Sequence, residues 1–181
     1  MCSLKMKNRT ILKIAAVIIP VISISIIIGL LLNFRKKKEK TEALKNIPTF
    51  SLTKIDNTLF NSQSLVNTQT KVFIYFSPSC HYCQAEAEDL SKTYHLYQNI
   101  QWIWVASEPI REIKEFAHQY NLDKRSNIHW CHDERAAFYQ KLGMSTIPYF
   151  LVYNQNNHLI KRNSGAIKLE KLLLDTLHER K

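Results

Sequence analysis

Apolar residues are distributed along this chain in two ways. From Ile14 to Phe34 they run almost unbroken: 21 residues carry no charge and are mostly Ile, Leu and Val. Beyond residue 47 they come in short bursts separated by polar stretches. A helix over 14–34 rises about 30 Å, the thickness of a hydrocarbon core, and Pro20, Ser23, Ser25 and Gly29 are tolerated in a spanning helix. The run is long for a cleavable leader. Leu30-Leu31-Leu32-Asn33-Phe34, followed by Arg35-Lys36-Lys37-Lys38, also lacks the small residues of a cleavage site. The expectation is an uncleaved single-span anchor at 14–34, between a short N-terminal segment (1–13) and a basic linker (35–47).

The second region, 48–181, is 134 residues long, enough for one hydrophobic core. Strand-like runs lie at Thr49–Lys54, Val72–Ser77, Gln101–Ser107, Asn127–Trp130, Tyr149–Tyr153 and His158–Arg162. Helical patterns lie at Gln84–Gln98, Ile110–Tyr120, Glu134–Leu142 and Leu169–Arg180. Ile55-Asp56-Asn57 and Asn154-Gln155-Asn156-Asn157 are turn signals, and the second joins two strands as a hairpin. Strands alternating with helices, closed by a hairpin and a helix, predict an α/β sandwich around a central mixed sheet.

Charge changes the picture only by its location. The net charge is +10, but residues 1–47 hold ten Lys/Arg against two Glu, and the remaining residues hold fifteen against thirteen Asp/Glu. The basic excess flanks the anchor, where anionic headgroups are the simplest partner; nucleic-acid binding has little support. Lys5, Lys7, Arg9 and Lys13 on one side are matched by Arg35, Lys36, Lys37, Lys38 and Lys40 on the other, so the positive-inside count does not set the orientation. An N-terminal anchor followed by one soluble domain favours a cytoplasmic-membrane protein with its domain on the outer, periplasmic side.

The chemistry is concentrated at Cys80-His81-Tyr82-Cys83. This motif follows the apolar run Val72–Phe76 and precedes a helix-compatible stretch, so Cys80 stands where a strand ends and a helix begins. Backbone N–H groups at a helix N-terminus favour thiolate over thiol. A thiolate attacks a disulfide, and a second cysteine three residues on can resolve the mixed disulfide. Cys80 is the expected nucleophile and Cys83 the resolving thiol, together a redox-active disulfide. His81 can raise the local positive potential, and Tyr82 offers an exposed contact surface. A zinc half-site or a structural disulfide would use the same spacing.

The order of elements resembles the thioredoxin fold and, more narrowly, the membrane-tethered envelope thiol–disulfide oxidoreductases of the TlpA/ResA-like group. The resemblance covers about residues 48–181. Pro48-Thr49-Phe50-Ser51-Leu52 resembles that group's opening strand, and Phe76-Ser77-Pro78-Ser79-Cys80-His81-Tyr82-Cys83 its active-site segment. Thr146-Ile147-Pro148-Tyr149-Phe150 resembles a strand that begins with a cis-proline, and Gly165-Ala166 a late glycine. Ser79 departs from the tryptophan usual before the first cysteine, and Ile74 stands where thioredoxin has a buried aspartate. Glu86, three residues after the second cysteine, matches a glutamate of the envelope group.

The resemblance implies an enzyme with no bound organic cofactor. Its partners would be protein disulfides and a membrane or envelope electron donor. Cys80, Cys83 and Glu86 would be catalytic, Glu86 by taking the Cys83 proton. Ile147 and Pro148, with His81 and Tyr82, would meet the substrate, and Ile147 before the proline resembles the reducing thioredoxins. Glu86 could equally be one more surface carboxylate beside Glu88 and Asp89. Cys131-His132 is the unusual feature: a buried small hydrophobe and its neighbour, or the completion, with Cys80 and Cys83, of a copper- or zinc-handling site. A peroxide reductase would place its cysteine in a T-x-x-C setting that is not found.

Overall fold

The computed structural model describes residues 18–20, 22, 24–35, 42 and 44–178. Most of the N-terminal segment and basic run, including Cys2, lies outside them. The chain divides into two units, Met1–Glu42 and Ala43–Lys181. In the first, helix α1 (Ile18–Arg35) has 18 residues and is apolar enough to cross a membrane. Its described Ile and Leu side chains are exposed.

The second unit is built on a mixed seven-stranded sheet in the order β2-β1-β5-β4-β3-β6-β7. The strands are β1 (Ser51–Lys54), β2 (Leu59–Asn61), β3 (Thr70–Tyr75), β4 (Ile100–Ala106), β5 (Ile128–His132), β6 (Tyr149–Tyr153) and β7 (Leu159–Ser164). Helices α2 (His81–Thr93) and α3 (Ile110–Gln119) connect β3 to β4 and β4 to β5, which run parallel. Short α4 (Ala137–Lys141) precedes β6, and α5 (Leu169–His178) follows β7. This is the expected thioredoxin-like sandwich.

Alternate side chains of a strand point to opposite faces, and the central strands are buried on both. One face carries Val72, Ile74, Trp102, Trp104, Trp130, Phe150 and Val152, covered by Cys83, Ala87 and Leu90 of α2, Ile113 and Phe116 of α3, and Leu172 of α5. Trp104 stacks on Trp130 with ring centroids 5.0 Å apart. The other face carries Phe73, Tyr75, Ile103, Val105, Cys131 and Leu151, covered by Phe50, Phe60 and Phe138. Arg111–Glu115, on the exposed side of α3, forms an ion pair at 2.8 Å, as a solvated face should.

The structure departs from the expected elements in three places. Strand β2 was not anticipated: Asn57 adopts φ 64°, the Asp56 carboxylate accepts the Thr58 N–H, and the chain folds back so that Leu52 pairs with Phe60. The helix expected over Glu134–Leu142 is a 3-10 turn followed by α4, because Arg135 and Ala136 are left-handed. That turn lets buried Asp133 accept N–H bonds from Phe138 (2.9 Å) and Tyr139 (3.0 Å) and the Tyr75 hydroxyl (3.0 Å). Finally, the end of the expected linker is folded: Leu44 is buried, Asn46 bridges His158, and Lys45 O accepts the Leu159 N–H.

Candidate functional site: a dithiol at the start of a helix

Strand β3 carries the chain to Tyr75, and the Phe76 N–H still bonds Val105 O before Pro78 ends the extended run. The Cys80 N–H closes a turn on Ser77 O at 3.1 Å, and the Ser77 and Ser79 hydroxyls lie 3.0 Å apart across it. Gln84 Nε2 donates to Pro78 O at 2.9 Å, tying this turn to the helix that follows. Cys80 is the N-cap of α2, with extended backbone (φ −80°, ψ 115°), and its side chain makes no capping bond. Its thiol therefore stands at the end of the helix where the first N–H groups are unsatisfied.

Buried positions on α2 fall at Cys83, Glu86, Ala87 and Leu90, the spacing of one helical stripe. Cys80 is partly exposed, while Cys83, one turn behind it, is fully buried; neither is in a disulfide. Burial pushes the Cys83 thiol well above the ordinary thiol range. The hydrogen bond that the Cys83 thiol donates to the Cys80 sulfur adds to that rise, as does the Glu86 charge. Cys83 thus resists ionisation unless a base takes its proton.

Glu86 lies one turn further along the same buried stripe. Its side chain is only 6% exposed, and its Oε1 accepts the Ile167 N–H at 2.8 Å. Burial raises its carboxyl from 4.5 to about 7; the Ile167 bond opposes the rise and Asp89 contributes to it. A carboxyl that titrates near neutrality exchanges protons with a thiol far more readily than an ordinary one.

The Ile147–Pro148 peptide bond is cis. Tyr149 pairs with Tyr75, which sets Pro148 at the end of the sheet from which the Cys80 turn emerges. Ser77 and Ile147 line one cavity of about 330 Å³, together with Tyr75, Glu108, Tyr139 and Thr146. His81 and Tyr82 are exposed with ring centroids 6.3 Å apart, and Ile147 is exposed beside a buried Pro148. The late glycine, Gly165, has φ 89° and donates its N–H to Pro148 O at 2.9 Å.

Cys131 does not join this group. It is fully buried in the core of the opposite face, among Val105, Tyr75 and Phe50, so the metal site imagined from Cys80, Cys83, Cys131 and His132 is corrected by the alternation of β5. Among the described residues no group of three or more His, Cys, Asp or Glu is placed to hold a metal ion. The contribution of Gly165 and Ile167 was not read from the sequence beyond the glycine itself, because it is made by backbone N–H groups.

The Redoxin family model matches residues 42–175. No curated protein matches significantly. Among solved structures, a secreted disulfide oxidoreductase of Mycobacterium tuberculosis, described as homologous to E. coli DsbE, is 20% identical with a TM-score of 0.60, covering 76% of this chain and 98% of that one. A putative thioredoxin from Neisseria meningitidis is 22% identical with a TM-score of 0.63, covering 74% and 89%. A peroxidoxin, BcpB of Mycobacterium tuberculosis, is 12% identical with a TM-score of 0.61, covering 74% and 92%. At these identities the likeness establishes the fold, and the fold hosts more than one thiol chemistry.

Proposed function

The chain belongs to the Redoxin family, and on that premise we propose that it is a membrane-anchored thiol–disulfide oxidoreductase exchanging disulfides with partner proteins through Cys80 and Cys83. The observation that carries this reading is the asymmetry of the pair. One thiol is accessible at a helix N-terminus, and the other is buried behind it against an acid.

In the proposed cycle Cys80, as thiolate, attacks one sulfur of a partner disulfide. A Cys80–partner bond forms, the partner disulfide breaks, and one partner thiolate leaves. Cys83 then gives its proton to Glu86 and attacks the Cys80 sulfur. The Cys80–Cys83 disulfide forms, the second partner sulfur leaves as thiolate, and two electrons have passed from the dithiol to the partner. A membrane or envelope electron donor returns them. His81, Tyr82, Ile147 and Pro148 meet the partner chain, Pro148 supplying no N–H of its own and leaving the adjacent backbone to pair with an extended segment.

Residues 14–34 anchor the protein in the cytoplasmic membrane as a single pass, with 48–181 as the enzyme domain outside it. The length and apolar character of α1 support the anchor. An alkaline-phosphatase fusion at the C-terminus is expected to be active and a cytosolic reporter there dark; the reverse would put the domain in the cytoplasm. For the chemistry, Cys83→Ser is expected to accumulate partners as mixed disulfides on Cys80. Failure to trap any, with Cys80 intact, would remove the exchange mechanism.

A further inference from the structure

The segment between β7 and α5 touches both halves of the proposed site. At its start the Gly165 N–H bonds Pro148 O at 2.9 Å, and Gly165 holds a φ of 89° that other residues rarely adopt. Asn163 Nδ2 donates to Gly165 O at 2.7 Å and fixes the peptide that follows. Two residues on, the Ile167 N–H bonds Glu86 Oε1 at 2.8 Å. Three residues of backbone therefore join the acid on α2 to the proline at the head of β6, elements 62 residues apart in sequence.

We propose that the Gly165–Ile167 segment couples the charge on Glu86 to the grip on the partner at Pro148, so that the proton taken from Cys83 loosens the partner as the exchange completes. The proposal rests on the dithiol reading above. An N–H bond to a carboxylate is roughly twice as strong as one to a neutral carboxyl group. While Glu86 is ionised, the Ile167 bond holds the segment and, through Gly165, the Pro148 carbonyl. When Cys83 attacks Cys80, its proton passes to Glu86, the Ile167 bond weakens, and Gly165 relaxes its hold. The partner, now a thiolate, leaves from a softened surface. A cavity of about 350 Å³ lined by Ala85, Glu86, Asp89, Ala166, Ile167 and Lys168 gives the proton a way to solvent before the next cycle.

Around Glu86 the titratable and charged groups are Cys83 and Asp89 on α2 and Lys168 on the segment entering α5. Glu86 alone of these accepts the Ile167 N–H. The coupling is thus separable from their general electrostatic effect.

The test follows amide resonances of the full chain in detergent micelles from pH 5 to pH 9. Both the Ile167 and the Gly165 amide protons are expected to shift with one midpoint near pH 7, and neither in Glu86→Gln. A Gly165 amide that stays flat while Ile167 titrates overturns the coupling. In parallel, a cysteine-containing model peptide is loaded on Cys80 and its release is followed over the same range. Ile167→Pro, which lacks the N–H, is expected to raise the pH midpoint of release by about one unit, because the lost bond favoured the ionised acid. Ile167→Val, which keeps it, should leave the midpoint in place; an unchanged midpoint in Ile167→Pro overturns the proposal. The dithiol reading stands or falls separately, on Cys80→Ser.

Discussion

Cys83 and Cys131 are both fully buried, on opposite faces of one sheet, and burial pushes both thiols up. Their surroundings differ in two respects. Cys83 lies one helical turn behind an accessible thiol and shares its stripe of α2 with a half-neutral acid. Cys131 is paired in the sheet with Val105 and Lys54 and packed among aromatic and aliphatic side chains. A buried thiol is by itself inert. In the mechanism proposed above, what turns one of two similar cysteines into a reagent is a partner sulfur to attack and a base to release it, and both come from the register of a single helix.

The sharpest test of this contrast is replacement of each cysteine with serine. Cys80→Ser should reduce insulin disulfide reduction to background, whereas Cys131→Ser should retain the wild-type rate per folded molecule. Loss of activity in Cys131→Ser without loss of fold would erase the distinction between the faces.

Glu86→Gln comes next. It keeps the shape and removes the base, so resolution by Cys83 should slow by up to about 100-fold at pH 7. Wild-type resolution should rise as pH passes about 7, where Glu86 ionises, and the variant should lack that inflection. The gap should narrow at alkaline pH as hydroxide deprotonates Cys83 directly. Parallel profiles from pH 6 to pH 9 would reduce Glu86 to a packing residue.

The same carboxyl predicts an effect on stability. Its folded-state pKa is raised from 4.5 to about 7, so the native protein holds this proton more tightly than the unfolded chain does. Its contribution is full below the ordinary carboxyl range, is lost as pH rises towards 7, and is level above it. A shift of that size corresponds to about 3 kcal/mol at most. Glu86→Gln should therefore gain in Tm over wild type between pH 5 and pH 8. A constant difference would place the titration elsewhere.

The smallest effect concerns the inert face. Cys131→Ser puts a hydroxyl among apolar side chains and should cost about 2 kcal/mol in denaturant unfolding. A neutral result would mean that the pocket around Cys131 offers polar partners.

Much of this arrangement was legible because it obeys simple periods. Alternation along Val72–Tyr75 and Trp102–Val105 sorts side chains to the two faces, and the strand–C-x-x-C–helix order placed Cys80 at the helix start. The spacing 83, 86, 87, 90 also puts Glu86 on the buried stripe, although a neighbourhood of Glu88 and Asp89 gave it the look of a surface acid. Three features left no such trace. Strand β2 is three residues long with Phe60 alone buried, too short for a period to show. Helix α4 begins late because Asp133 satisfies the N–H groups of Phe138 and Tyr139 from across a left-handed turn. The Ile167–Glu86 bond spans 81 residues and uses a backbone donor that every non-proline residue possesses.

The bridge from Asn46 to His158 has a consequence for reach. His158 sits at the turn end of the β6–β7 hairpin, beside the start of β3, whereas Cys80 follows the far end of β3. Leu44 to Asn46 therefore lie at the pole of the enzyme domain opposite Cys80 and Cys83. If the protein is anchored as proposed, lengthening or shortening the stretch 36–41 would change the local concentration of the thiols seen by a partner held in the same membrane. It would leave untouched the rate at which they meet a partner free in solution. Under the proposed anchoring, tether length would act as a dial on encounter frequency, set independently of the reaction it supplies.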